Sequence, residues 1–205
     1  VGLYISPGKH GRIHRDKYMA KGEPMPVCIV VGSDPLSFLS SSTEAPEGMC
    51  ELDMMGAYRG KAIKCVTGKH TGLPFPANSE IVIEGFIYPG NTAPEGPFGE
   101  WLGYQGGQMD AEPWVDISAI YHRNDPILLG AAHIRMPYEY ARYRAISRSA
   151  VLKENIARAG VPDVDGVWAH EVGGSRLFLA IGIKQRYPGH ATQAGQIAAT
   201  CHAGA

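Results

Sequence analysis

The chain is punctuated by 26 glycines and 15 prolines among 205 residues, and this sets the tightest limit on what it can fold into. Glycine opens the backbone conformations that end helices and tighten turns, while proline fixes one dihedral and removes a backbone donor. Long uninterrupted elements are therefore excluded over most of the length, and short strands joined by turns with a few helices between them are expected. The fold class read from this pattern is α+β.

Strands are predicted at Val1–Ile5, Val27–Val31, Ala62–Val66 and Glu80–Tyr88, where β-branched residues cluster between turn formers. Short helices are expected over Gly11–Lys21, stopped by Gly22 and Pro24, over Leu36–Leu39 and over Glu51–Tyr58. The segment Pro89–Glu112 is crowded with glycine and proline and has no periodicity, so it reads as one long loop, a kind that is usually functional in compact domains. Val115–Tyr121 and Ile127–Ile134, separated by His122-Arg123-Asn124-Asp125-Pro126, predict a hairpin. After Met136 the pattern changes. Ala145, Ser149, Leu152, Ile156 and Ala159 recur at three- and four-residue spacing, placing them on one face of a helix over Glu139–Ala159. Strands at Gly166–His170 and Leu177–Ile183 and a helix over His190–Ala199 follow in βαβ-like order, giving one domain over 1–136 and another over 137–205.

Lys and Arg number 19 against 20 Asp and Glu, a net charge of −1, which offers no broad attraction to nucleic acid or an anionic membrane. The longest apolar runs fall far short of the roughly 20 residues that span a bilayer, and the first residues lack the features of a signal peptide. Cys28, Cys50, Cys65 and Cys201 form no CxxC pair and fit reduced thiols in a cytoplasmic protein.

The densest chemistry lies in Glu95-Gly96-Pro97-Phe98-Gly99-Glu100-Trp101, where two carboxylates stand five residues apart on a backbone that proline and glycine constrain. Acids held close together repel when both are ionised, so one can keep a proton and act as a general acid. A solvated turn is the plain alternative, against which the two aromatics weigh. His10 and Glu51 are ligand types suited to Mn²⁺ or Mg²⁺, although a spacing of 41 residues carries no information. Ser40, Ser41 and Ser42 could offer oxygens to phosphate or an alkali cation, His190 reads as a capping or packing residue, and Arg142, Arg144 and Arg148 read as a solvated helix face. GxxxxGK[ST], GxGxxG and GxSxG are absent, which argues against the common nucleotide folds and serine hydrolases.

In order along the chain, these segments resemble the UbiD family of reversible, prenylated-FMN-dependent decarboxylases. Gly8-Lys9-His10 resembles the family's metal-binding histidine segment, and Gly22-Glu23-Pro24-Met25-Pro26-Val27 with Gly32-Ser33-Asp34-Pro35 the strand and turn after it. Glu51 with Gly56-Ala57 and Arg59-Gly60 resembles the acidic ligand segment, and the run from Pro76 to Gly85 the strand leading to the active site. The Glu95–Glu100 loop resembles the glutamate motif, and the similarity continues through Lys184–His190.

The resemblance implies a flavin-binding-like split β-barrel followed by the start of an α/β C-terminal domain. It implies that His10 and Glu51 hold a divalent metal, typically Mn²⁺, at the phosphate of prenylated FMN, with Lys9 beside them. Ser41 and Ser42 fall where family members bind K⁺, and Thr43 departs from the family pattern there. Glu100 would exchange a proton with the reacting carbon of an aromatic or α,β-unsaturated acid, and Glu95 would join a charge network with an arginine. A flavin prenyltransferase would supply the cofactor, and a homo-oligomer is expected. The family's arginine and asparagine before the position of Val1, and a lysine after that of Ala205, lie outside this sequence, from which a truncated chain with weakened activity is expected. Two other readings stay open: a non-catalytic barrel that assembles subunits, and a split-barrel FMN oxidoreductase. A glycosidase acid pair is weaker, because both acids share one short loop.

Overall fold

A computed structural model describes residues 3–5, 10–43, 45, 48–99, 103, 105–107, 109–128, 130 and 136–201. The chain divides into two compact units, Val1–Phe98 with Gly106–Gly130, and Gly99–Gln105 with Ala131–Ala205.

The first unit begins with helix α1, His10–Lys21, which Gly22 ends at φ +70°. Strands β1 (Met25–Val31), β4 (Ile81–Ile87) and β7 (Asp116–His122) form an antiparallel sheet in the order β1-β4-β7. Val27, Ile87 and Val115 bury against Ile5 to make its core, with Leu3, Met25 and Ile29 packed around them. At the bulge after Glu84, a Cβ on Gly85 would stand 2.2 Å from the Asp116 carbonyl oxygen, so only glycine lets β7 approach β4 so closely.

Between β1 and β4 run helices α2 (Pro35–Ser41) and α3 (Glu51–Arg59), then the short strands β2 (Cys65–Thr67) and β3 (Pro74–Pro76), which pair antiparallel. Asp34 caps α2 by accepting from the Leu36 amide at 2.9 Å, and Pro35 occupies its first turn, where a missing N–H costs nothing. Helix α3 carries Glu51 and Asp53 in its first turn, which suits its dipole, and ends at Gly60 in the left-handed region. The other carboxylate oxygen of Asp34 pairs with the Arg59 guanidinium, tying the end of α3 to the start of α2.

Three expectations are corrected in this unit. Residues 3–5 are not in a strand, although the Leu3 amide donates to the Pro113 carbonyl at 2.9 Å; Val1 and Gly2 lie outside the described residues. The segment Pro89–Glu112 is not wholly loop, because β5 (Thr92–Glu95) pairs with β6 (Met109–Pro113). Strand β7 pairs with β4, and of the expected second strand Ile127, Leu128 and Gly130 are in no regular structure, while residues 129 and 131–134 lie outside the described residues. The Glu80 carboxylate accepts from the Ile127 amide at 3.1 Å and pairs with Arg123 at 3.3 Å, holding the turn against the start of β4.

The second unit contains α4 (Glu139–Arg158), β8 (Val164–Ala169), a 3-10 turn at Glu171–Gly173, β9 (Leu179–Ile183) and α5 (His190–Cys201). Ile156, Val161, Ala194 and Ala198 form its core, with Val167, Leu179 and Ile181 packed against them. The expected βαβ order is corrected: β8 and β9 are adjacent and antiparallel. The connection between them holds one tight turn, too short for the crossover that parallel strands require. Among the described residues the strands form one three-stranded sheet and three two-stranded pairs, with no closed barrel. Among the described residues, no helix is long and apolar enough to cross a membrane.

Candidate functional site

A cleft of about 340 Å³ opens in the first unit between α2, α3, β1 and β3. Ser41, in the last turn of α2, and Glu51, in the first turn of α3, both line it. Ser33 adds a hydroxyl oxygen that is buried and lacks a hydrogen-bond partner among the described residues. Cys28 from β1 and Phe75 and Pro76 from β3 form part of its walls. The cleft thus offers one carboxylate and several hydroxyls above a largely apolar wall, which suits a ligand with an anionic or cation-bound end and a flat apolar body.

The serine hydroxyls have a second task. Ser41 donates to the Phe38 carbonyl at 3.0 Å, while Ser42 and Thr43 donate to that of Leu39 at 2.7 and 2.9 Å, so all three close the end of α2. Donation leaves their oxygen lone pairs open to a cation. His10, the first residue of α1, is half-buried and is not among the residues lining the cleft. Glu51 is therefore the one anionic donor the described residues bring there, and among them no three His, Cys, Asp or Glu side chains gather as a metal centre would need. The donor set fits an alkali cation or the metal-bound end of a phosphate; a complete divalent site needs ligands beyond Glu51.

Glu95 ends β5, opposite Met109 of β6. It is half-buried, and its Oε2 is shut from water without a partner among the described residues. A carboxylate oxygen in that condition calls for a donor or a cation. Lys9, Glu100 and Trp101 lie outside the described residues. Of the residues singled out in the sequence, the structure brings Ser41 and Glu51 together.

A further acid reads in the sequence only as part of a strand. Glu84, in the middle of β4, is 0% exposed. Its Oε1 accepts from the His70 amide at 2.9 Å, the Thr71 amide at 2.6 Å and the Thr71 hydroxyl at 2.7 Å, and its Oε2 from the Tyr121 hydroxyl at 2.6 Å. Burial alone would raise its pKa, but the bonds from Tyr121, Thr71 and His70 outweigh it and hold the carboxyl down at about 2, against an ordinary 4.5. The signal in the sequence was an acid at the same phase of β4 as buried Val82.

In the second unit, His190 is 0% exposed, in keeping with a packing role. Its Nδ1 accepts from the Arg186 amide at 3.3 Å, its Nε2 lies 3.1 Å from the Pro162 carbonyl, and its ring stacks on Tyr187. The arginines of α4 are not a plainly solvated face: Arg144 lies over the Tyr140 ring, 5.0 Å from its centroid, and Arg148 donates to the Ser175 carbonyl at 3.1 Å.

Residues 1–136 match the 3-octaprenyl-4-hydroxybenzoate carboxy-lyase Rift-related domain, and residues 143–205 the C-terminal domain of the same enzymes. The chain belongs to the UbiD family. Among solved structures it is similar to an evolved dimeric form of the UbiD-class enzyme HmfF from Pelotomaculum thermopropionicum in complex with prFMN, with 30% identity and a TM-score of 0.88 over 99% of this chain and 46% of that one. The apo 3,4-dihydroxybenzoic acid decarboxylase AroY of Klebsiella pneumoniae is 27% identical, with a TM-score of 0.83 over 98% of this chain and 43% of that one. The closed form of the vanillic acid decarboxylase of Sedimentibacter hydroxybenzoicus is 29% identical, with a TM-score of 0.78 over 96% and 41%. The chain thus spans just under half the length of these relatives.

Proposed function

We propose that this chain carries part of the catalytic centre of a reversible, non-oxidative decarboxylase acting on an aromatic or α,β-unsaturated carboxylic acid with prenylated FMN. The observation that carries the reading is the meeting of Ser41 and Glu51 in one cleft, the two positions at which the family resemblance calls for oxygen ligands near the cofactor phosphate. Similarity to a structure in complex with prFMN supports the cofactor.

When bound, the prenylated flavin supplies an acceptor for the electrons released as carbon dioxide departs. The residues of this chain do the rest of the work. Glu51, joined by His10, would hold a divalent metal, Mn²⁺ or Mg²⁺, for the cofactor phosphate, Lys9 would serve as a further cofactor contact, and Ser41 and Ser42 would lend oxygens to K⁺. The apolar wall of the cleft excludes water, which strengthens each of those contacts. Glu100 delivers the proton to the carbon that loses the carboxylate and takes it back in the reverse direction. Glu95 offers its dry oxygen to a cationic partner and so keeps the motif oriented.

Residues 1–136 form the split-barrel domain that carries the active-site motif, and residues 137–205 begin the C-terminal domain. The protein works in the cytoplasm as a homo-oligomer and takes its cofactor from a flavin prenyltransferase. The test is carbon dioxide release by the intact protein from cinnamic and hydroxybenzoic acids with prenylated FMN and Mn²⁺. Turnover that Glu100→Gln abolishes is expected; absence of both flavin uptake and carbon dioxide release across the panel overturns the reading.

A further inference from the structure

We propose that Glu84 is a positioning residue for this cleft: its buried carboxylate fixes Phe75 and Cys28, two side chains of the cleft wall, by way of Tyr121 and Thr71. The proposal rests on the reading of the cleft as the cofactor site.

A carboxylate at the centre of a sheet is an expensive choice. Removing its charge from water is costly unless a full set of donors replaces the lost hydration. Here every donor needed to offset that cost comes from two places, the turn Gly68–Leu73 and strand β7. Both lead to the cleft. The turn runs directly into β3, whose Phe75 and Pro76 line the wall. Thr71, which gives Glu84 both its amide and its hydroxyl, also sits with its Oγ1 3.5 Å from the Sγ of Cys28, another lining residue. Tyr121, held through its hydroxyl, stacks on the Phe75 ring with centroids 5.9 Å apart and planes inclined by 29°.

The acid therefore reaches the wall along separate routes, Glu84 to Tyr121 to Phe75 and Glu84 to Thr71 to Cys28. Cys28 also stands opposite Glu84 in the β1–β4 register, so backbone pairing sets its place on the sheet while Thr71 meets its thiol. Gly68 confirms how closely the turn is drawn in, since a Cβ there would lie 2.2 Å from the Glu84 Oε1. A simple staple of β4 to β7 would need the Tyr121 bond but not the three bonds from the turn.

Glu84→Gln is the informative substitution. The amide oxygen can still accept from the turn, while its NH₂ now faces the Tyr121 hydroxyl, so the side chain fits but the Tyr121 link must reverse. Two readouts in the intact protein at 25 °C separate positioning from folding: FMN affinity by fluorescence quenching, and the rate of iodoacetamide labelling of Cys28 read by mass spectrometry. With the circular dichroism spectrum unchanged, FMN binding about tenfold weaker and Cys28 labelling several-fold faster are expected. Wild-type affinity and wild-type labelling in the folded variant overturn the proposal, whatever happens to its melting temperature. If Glu84→Gln does not fold, Tyr121→Phe, which keeps the charge and three of the four bonds, is judged on FMN affinity by the same rule. Should the wild-type protein take up no FMN, the cofactor reading falls, and the Cys28 labelling rate alone upholds or overturns the positioning of the wall.

Discussion

The Tyr121 hydroxyl donates to Glu84 Oε2 at 2.6 Å across the β4–β7 pairing, and the same bond raises the Tyr121 pKa while it lowers that of Glu84. A half-buried strand residue and a wholly buried acid are thereby made one unit, and the stability of the first unit depends on the charge they share.

Acid should reveal that dependence. The Glu84 carboxyl has a folded pKa of about 2, below its ordinary 4.5, so the native state binds this proton less readily than the unfolded chain. Its contribution is complete above about pH 4.5 and is lost progressively as the pH falls toward 2. Urea midpoints measured between pH 6 and pH 2.5 should fall more steeply for the wild type than for Glu84→Gln; parallel curves would show the carboxylate to be unimportant.

Glu84→Leu should cost on the order of 3 kcal/mol, since the amides of His70 and Thr71 and two hydroxyls lose their acceptor at once. Chemical denaturation would measure it, with the slope of the transition unchanged.

Gly68→Ala should resemble that loss although it removes nothing. The new methyl would occupy the space of Glu84 Oε1, so either the turn lifts or the acid is displaced. Thermal melting should drop by several degrees, and a variant that melts like the wild type would mean that the turn yields freely.

Arg59→Ala unties α3 from the cap of α2. The pair is partly exposed, so a stability change of no more than about 1 kcal/mol is expected. The larger effect should appear as weaker Mn²⁺-dependent FMN binding, because Ser41 and Glu51 then sit on helices free to part. Glu51→Gln should cost still more metal affinity without lowering the melting temperature, and titration calorimetry with Mn²⁺ and FMN distinguishes the two.

Much of the second unit is legible in the letters. Ala145, Leu152 and Ile156 repeat at helical spacing, and all are buried in α4. The pairing of β8 with β9 is less legible, since periodicity marks strands but not their partners. Strand β5 escapes for a different reason: Thr92-Ala93-Pro94-Glu95 carries a proline and too few apolar side chains to alternate, and its pairing with β6 is non-local. The candidate site is the hardest part. Nothing in the spacing of Ser41 and Glu51 says that α2 and α3 pack side by side; that follows from Asp34 and Arg59, a pair 25 residues apart. Glu84 gives a hint, an acid on the buried phase of a strand, but its four donors lie in a turn and a strand that no local pattern connects to it.

The residues lining the cleft all fall between Cys28 and Pro76, whereas Glu84 and Tyr121 come afterwards. During translation the whole lining leaves the ribosome before the parts that lock it, so a nascent pocket exists first in a loose form. Stalling synthesis just before and just after Tyr121 emerges would catch those two stages in turn.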